Sequence, residues 1–296
     1  TVSNLTAVGY EALKANTTGT YNSAVGYQAL KANTTSWGNT AVGHAALSAH
    51  TIGASRNTAI GYLALTANTT GAANTAVGGH TLQSNTTGHS NSAIGFSSMS
   101  AMTTGTYNTS LGYMSLSSGT TAGSNVALGA NSMTSSTSGQ TNTAVGSSSL
   151  QYGTTAGGNV AIGHRNMQLV TTGYGNTAVG TRALELTTTA SNNSVMGYFA
   201  LYSNRTGTGN VAVGANSLYS NTTGSNNVAS GYMALNANTT TVATFGTITG
   251  GTGYTANLVA EPATLSYVSG STANAYPPVL ITTDANGVVT AVTLVV

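Results

Sequence analysis

The sequence predicts an all-β fold, a parallel β-solenoid (β-roll) of about fourteen 17-residue coils followed by a short, different β segment. Three observations predict it: a repeat of fixed period, an apolar pattern typical of short strands, and an almost complete lack of charge. Fixed-period self-similarity is the signature of architectures in which each coil packs only on its neighbours. We therefore expect the repeat region at residues 1–241 and a separate segment at residues 242–296.

A marker glycine occurs in every repeat, and in nearly all of them it ends a small-aliphatic-Gly triplet. Successive markers lie 17 residues apart, except for the 18 residues from Gly43 to Gly61. They are Gly9, Gly26, Gly43, Gly61, Gly78, Gly95, Gly112, Gly129, Gly146, Gly163, Gly180, Gly197, Gly214 and Gly231. The aligned unit is Asn-Thr-Ala-Val-Gly-Tyr-x-Ala-Leu-x-x-Asn-Thr-Thr-Gly-x-x. We number coil positions from the marker glycine, negative before it and positive after it.

The repeat disfavours helices, because Gly and Asn recur in every coil and paired Thr in most of them, and all three are poor helix formers. Stretches such as residues 40–44 alternate with period two between Asn/Thr/Gly clusters, which is typical of strands four to six residues long. Parallel stacking of identical coils places like residues about 4.8 Å apart, so fourteen coils predict a rod about 65 Å long.

Two apolar rows are expected inside the roll. Position −1 is aliphatic or Met in thirteen of fourteen repeats, with Ser230 as the exception, and position +4 is Leu or Met in all fourteen. The predicted structural columns include Leu30, Leu47 and Leu65 with Gly26, Gly43, Gly61 and Gly78. The Ala and Gly positions would form a small-residue face that lets other copies approach, which predicts a parallel homotrimer and leaves an end-to-end filament open.

Asparagine and a second glycine occupy the corners. Position −4 is Asn in thirteen repeats, and a stacked Asn side chain can bond the next amide in a ladder. The predicted ladder includes Asn22, Asn39, Asn57, Asn74 and Asn91. The second Gly, at position +10, is frequent but replaceable, as by Ser36 or Ala122, which predicts a turn that prefers positive φ without requiring it.

Residues 242–296 depart from the repeat. Two apolar runs, 279–281 and 288–296, are joined by Asp-Ala-Asn-Gly at residues 284–287, and Asn-Gly between such runs predicts a β-hairpin. A solenoid end exposes unpaired strand edges, so this segment could cap the roll, and it could also begin a further module.

Three stretches, residues 125–132, 159–163 and 210–217, resemble the Asn-Ser-Val-Ala-Ile-Gly-x-x-Ser repeats in the heads of trimeric autotransporter adhesins. The full unit, with Gly-Tyr-x-Ala-Leu and Asn-Thr-Thr-Gly, is more similar to repeats of bacteriophage tail fibres and related virion appendages. The resemblance covers residues 1–241. It implies a β-roll built from three chains, left-handed in the adhesin heads, and an extracellular fibre.

The composition argues against several partners. Only 3% of the residues are charged, where about 25% is usual. Six basic residues spread over the repeats form no patch for nucleic-acid phosphates. The chain has no Cys for a disulfide or thiolate site, and no apolar run of about 18 residues that would insert into a membrane.

The residues do not predict an enzyme, a cofactor or a metal site. Glycoside hydrolysis needs two carboxylates roughly 5 to 10 Å apart. The repeats contain only Glu11 and Glu185, ten coils or about 48 Å apart, whereas Glu261 and Asp284 fit turn chemistry. The five histidines occupy different positions in mostly different coils and predict no metal site; they are His44, His50, His80, His89 and His164.

Aromatic residues recur at position +1 and predict a surface column. Its tyrosines are Tyr10, Tyr27, Tyr62, Tyr113, Tyr198 and Tyr232, with Phe96 in the same position. Such rings can bind sugars, but packing against a neighbouring coil or chain is the favoured alternative. Thr-rich columns leave an ice-binding face as a less favoured hypothesis.

We therefore expect a structural fibre or adhesive shaft. The leading hypothesis is a trimeric phage tail fibre, a virion structural protein that projects a host-recognition element toward a surface glycan or protein. The alternative is a bacterial extracellular adhesin or surface filament. Both are extracellular, and both suit a chain whose ladders of hydrogen bonds need no ion pairs and are insensitive to salt.

Overall fold

The computed structural model describes residues 4–51, 53, 56–239, 279–283 and 289–294. Fourteen three-residue strands in the repeats form one parallel sheet, and these described residues contain no helix, which confirms the β-solenoid. The strands are β1 (Thr6–Val8), β2 (Ser23–Val25), β3 (Thr40–Val42), β4 (Thr58–Ile60), β5 (Thr75–Val77), β6 (Ser92–Ile94), β7 (Thr109–Leu111), β8 (Val126–Leu128), β9 (Thr143–Val145), β10 (Val160–Ile162), β11 (Thr177–Val179), β12 (Ser194–Met196), β13 (Val211–Val213) and β14 (Val228–Ser230).

The strands pair in chain order with like positions in register, so that Ala24 lies between Ala7 and Ala41. They are shorter than the four to six residues expected. After the marker glycine the chain folds into successive turns, in which the N–H of Ala29 donates to the carbonyl of Gly26 at 3.4 Å. These turns end each strand because their backbone alternates between negative and positive φ.

Position +4 has a left-handed backbone in every coil, although it is always Leu or Met; φ is 50° at Leu30 and 52° at Met99. This conformation costs a non-glycine residue about 1–2 kcal/mol. Full burial of a Leu or Met side chain contributes about 1.5–3 kcal/mol and offsets that cost. The N–H of Leu30 also donates to the carbonyl of Ala46 in the next coil at 3.0 Å. The inward direction of this side chain therefore depends on an unusual backbone.

Only one of the two expected aliphatic rows lies inside. Ala at −2, Ala or Ser at +3, and Leu or Met at +4 fill the core, whereas position −1 faces outward: Val25 is 38% exposed, Ile94 44% and Leu111 51%. Neighbouring residues of a strand point to opposite faces, so the small Ala at −2 occupies the core side. The expectation of a small-residue face is also wrong, because Ala24 and Ala29 are fully buried.

Apart from Gly53 in the 18-residue repeat, where φ is 83°, the described glycines at +10 do not adopt the positive φ expected of them. A Cβ on Gly88 would instead overlap Oδ1 of Asn85 at position +7 and the carbonyl oxygen of Gly105 in the next coil. Ala fits at +10 where the residue at +7 is smaller than Asn. In the coil of Ala122, for example, the residue at +7 is Gly119. The left-handed corner lies two residues later, at +12, where φ is 65° at Gly158 and 56° at Thr141.

In the C-terminal segment, β15 (Val279–Thr283) pairs antiparallel with β16 (Val289–Leu294), with a register irregularity between Thr282 and Thr283. These are the two strands of the expected hairpin. Its turn, residues 284–288, and the expected boundary at 241/242 lie outside the described residues. In the described part of the chain, no helix has the length and apolar character needed to cross a bilayer.

Candidate functional site: ladders and exposed columns

The asparagines at −4 form a buried ladder along the roll. The main-chain N–H and the Nδ2 of Asn39 both donate to Oδ1 of Asn22, at 2.9 and 3.2 Å. The Nδ2 of Asn22 donates to the carbonyl of Ser36 at 2.8 Å. Oδ1 of Asn39 in turn accepts the N–H of Asn57 at 3.0 Å. The pattern continues through Asn74 and Asn91 and then to Asn227, so each amide satisfies main-chain groups that would otherwise be buried without partners.

A second Asn ladder occupies position +7 in two stretches, from Asn16 to Asn85 and from Asn204 to Asn221, and the six coils between them have other residues there. The Nδ2 of Asn33 donates to Oδ1 of Asn16 at 2.7 Å, and that of Asn85 donates to Asn68 at 2.9 Å. Within the first stretch His50 takes the place of Asn, and its Nδ1 accepts from the Nδ2 of Asn68 at 3.2 Å. The recurrence of Asn at a fixed coil position was the sequence signal for this ladder.

Threonines at +8 form a third ladder. Eleven hydroxyls donate to the main-chain carbonyl at +8 of the next coil, at distances of 2.9 to 3.3 Å. Thr86, for example, donates to Thr103 at 3.1 Å. The adjacent Thr at +9, such as Thr87 and Thr104, is exposed. Threonines at +8 such as Thr69 and Thr137 are exposed as well, but their hydroxyls are bonded to the next coil.

The marker glycines, including Gly26, Gly43, Gly61 and Gly78, have φ between 125° and 145°. They also lie against the main chain of the next coil. A Cβ on Gly146 would lie 2.5 Å from the carbonyl oxygen of Gly163, which is too close for a carbon and an oxygen that are not bonded to each other. Both the backbone conformation and the close contact require glycine at this position.

The two carboxylates of the repeats are each held by two cations in different coils. Glu11 bonds to Lys14 and Lys31, each at 2.6 Å, and accepts from Gln28 at 2.9 Å. Hydrogen bonds from Lys14 and Lys31 lower the pKa of Glu11 to about 2. Ten coils further on, Glu185 contacts Arg182 and Arg165. No group of three His, Cys, Asp or Glu suited to a metal ion occurs among the residues described.

Four of the predicted tyrosines belong to one stack of seven rings. Its centroids are 5.0 to 5.9 Å apart in the order Tyr10, Tyr27, His44, Tyr62, His80, Phe96 and Tyr113. Position +1 of the fifth coil is Gly79, and the ring of His80 fills the gap between Tyr62 and Phe96. Tyr198 packs edge-on against Phe199 at 4.3 Å, and Tyr232 is 74% exposed.

The stacked geometry limits what the aromatic column can bind. In the pairs from Tyr10 to Tyr62 the rings are within 28° of parallel, so that each covers the face of its neighbour. A sugar ring stacks on an aromatic face, and between these rings the exposed parts are edges. The column therefore contributes first to coil-to-coil packing, which was the favoured alternative.

The strands provide a further exposed surface, the sheet face, made of positions −3 and −1 of all fourteen strands. Position −3 is Thr, Ser or Val, and position −1 is Val, Ile, Leu, Met or Ser. Because the strands are parallel and in register, each position forms a straight column along the roll. The sheet face is thus uncharged, with an apolar column at −1 from β1 to β13 beside a column at −3 that is mostly Thr and Ser.

The chain matches no family model, no curated protein and no solved structure.

Proposed function

We propose that the chain is the shaft of an extracellular fibre, a stiff spacer that holds a recognition element away from the surface that carries it. The observation that supports this most directly is the unbroken register of fourteen coils, joined by the main-chain, Asn and Thr ladders. In a repeat array of this kind, each coil is stabilised by its nearest neighbours, so length can grow without a larger core.

The ladders suit a shaft outside the cell. Buried amides and main-chain groups bond one coil to the next and depend little on ionic strength, since only 3% of the residues are charged. A coil with few protruding loops also offers few sites for proteolysis. The shaft needs no catalytic group, cofactor or metal for this role.

We further propose a bacteriophage tail fibre as the setting, with the chain as a virion structural protein in a homotrimer. The support is the resemblance of residues 1–241 to tail-fibre and related appendage repeats. The recognition element that the shaft carries would bind a glycan or protein on the host surface. A bacterial adhesin or surface filament built from the same coil is the second candidate, supported by the resemblance of residues 125–132 and 210–217 to adhesin heads.

Electron microscopy of the purified full chain tests the shaft. We expect straight rods containing a segment about 65 Å long, from fourteen coils at about 4.8 Å. Circular dichroism and resistance to protease should change little between low salt and 1 M NaCl. Globular particles, or unfolding at either ionic strength, would rule out the shaft.

The two settings are separated by gold-labelled antibodies raised against the repeat region. The tail fibre is supported if the antibodies label tail appendages on virions and do not label uninfected host cells. Labelling of the surface of the producing bacterium in the absence of virions supports the adhesin instead.

A further inference from the structure

The sheet face exposes an aliphatic column that is unusual for a surface. Position −1 is exposed at Val42, Ile60, Ile94, Leu111 and Ile162, among others. The column continues from β1 to β13, because like positions lie in register. Isolated apolar side chains are ordinary on a protein surface, but contiguous patches beyond a few hundred Å2 mark a site of interaction.

We propose that this face is covered by the same face of neighbouring copies of the chain around one axis, as in the proposed homotrimer. The inference rests on the proposed shaft, since it assigns the surface through which shafts associate. It also relocates the contact expected from the sequence, because the Ala columns that were to form it are inside the core.

The area of the face comes close to that which each partner buries in a standard interface. Fourteen strands at about 4.8 Å and three residues at about 3.3 Å give a surface about 65 Å by 10 Å, or about 650 Å2. A standard interface buries about 800 Å2 on each partner. The side chains beside the face, including the aromatic column one residue after the marker glycine, can supply the remainder.

The periodicity of the face favours a copy of this chain over a globular partner. The aliphatic side chains repeat once in every coil, and a partner must present matching holes at the same interval to bury all of them. A second copy has that interval by construction. No charge opposes the contact, because positions −3 and −1 contain only Thr, Ser, Val, Ile, Leu and Met.

The test compares two double variants of the full chain that differ only in where the charge is placed. Ile94→Lys with Ile162→Lys puts lysines on the sheet face. Thr104→Lys with Thr172→Lys puts them on the exposed +9 column of the same two coils. A third variant, Ile94→Thr with Ile162→Thr, removes apolar surface while keeping β-branched residues, in case lysine prevents folding. Circular dichroism verifies the fold of each, and sedimentation velocity measures the mass.

We expect the wild-type chain and the Thr104/Thr172 variant to sediment as three chains, and the Ile94/Ile162 lysine variant as one. The variant with Ile94→Thr and Ile162→Thr should associate at least tenfold more weakly than the wild type. A wild-type protein that sediments as a single folded chain at tens of micromolar overturns the proposal, as does equal association of all variants. A single chain with thermal hysteresis that the Ile94/Ile162 substitutions abolish would assign the face to ice instead. If microscopy shows rods but sedimentation gives the mass of a single chain, the proposed contact is refuted and the proposed shaft is still supported.

Discussion

The carbonyl oxygen of Gly163 lies 2.5 Å from the point where a Cβ on Gly146 would be, so the two marker glycines are in direct main-chain contact. The same approach recurs between successive markers along the roll. At the last described marker, Gly231, φ is 127°, but the nearest described atom is Cβ of Ala234 at 4.0 Å. Gly146 and Gly231 thus have the same backbone conformation, but among the described residues only Gly146 is in close contact with the next coil.

Gly146→Ala should therefore destabilise the roll more than Gly231→Ala. Both changes place Ala at a φ near 126°, a region ordinarily restricted to glycine, at a cost of about 1–3 kcal/mol. Among the described residues, only the first glycine also lies against the next coil, and separating the two coils adds about 1–3 kcal/mol. Hydrogen exchange of β9 and β14 measures the local free energies of opening. Equal losses at the two strands would mean that φ alone requires the glycine.

His50→Asn should stabilise the coil by about 1 kcal/mol, the net contribution of one hydrogen bond. Oδ1 of Asn33 is buried without a partner, directly before His50 in the ladder, and an Asn at 50 would donate to it. The control His50→Ala should destabilise the coil, because Asn68 then loses the acceptor it has on the imidazole. Thermal denaturation of the three proteins checks the order, and a less stable Asn variant would contradict the role of the ladder.

Thr141→Asn should stabilise the left-handed corner at +12 by about 1 kcal/mol, because a β-branched residue is strained at its φ of 56°. Asn tolerates this region and already occupies the same position at Asn192 and Asn226. The reciprocal change Gly158→Thr should lower stability. Denaturant midpoints measure both, and effects of the same sign would exclude backbone strain as the cause.

Acid should loosen the first two coils. The pKa of Glu11 is lowered from 4.5 to about 2, so its bonds to Lys14 and Lys31 stabilise the fold above about pH 4.5 and are lost as the pH falls toward 2. Hydrogen exchange of β1 and β2 between pH 6 and 2, corrected for intrinsic rates, should show this loss. Glu11→Gln should remove most of the pH dependence, and an unchanged profile in that variant would contradict the assignment.

Much of the architecture could be predicted from the period alone. A 17-residue repeat with Asn at −4 and Gly at 0 predicts stacked coils and one strand per coil, because identical coils can pair only with like residues in register. The buried positions of Leu30 and Leu47 and the bonding of Asn22 to Asn39 agree with that pattern. The stack from Tyr10 to Tyr62 also results from this register.

The orientation of the remaining columns could not be obtained in this way. Val25 and Leu30 are both aliphatic and equally periodic, yet the first is on the surface and the second in the core. Strand alternation places Ala24 and Val25 on opposite faces of the sheet. The apolar pattern does not determine which of these faces is buried in the core.

The sequence by itself determined the repeat, the strands, the Asn ladder and the near absence of charge, since these follow from which residues recur and at what interval. The tertiary structure alone decided that Leu at +4 adopts a left-handed backbone and that Ala rather than Val lines the core. A 17-residue coil encloses little volume beside the buried Leu or Met at +4. Of the two strand positions, the one with the smaller side chain, Ala at −2, is therefore inside, and the larger Val at −1 is on the sheet face.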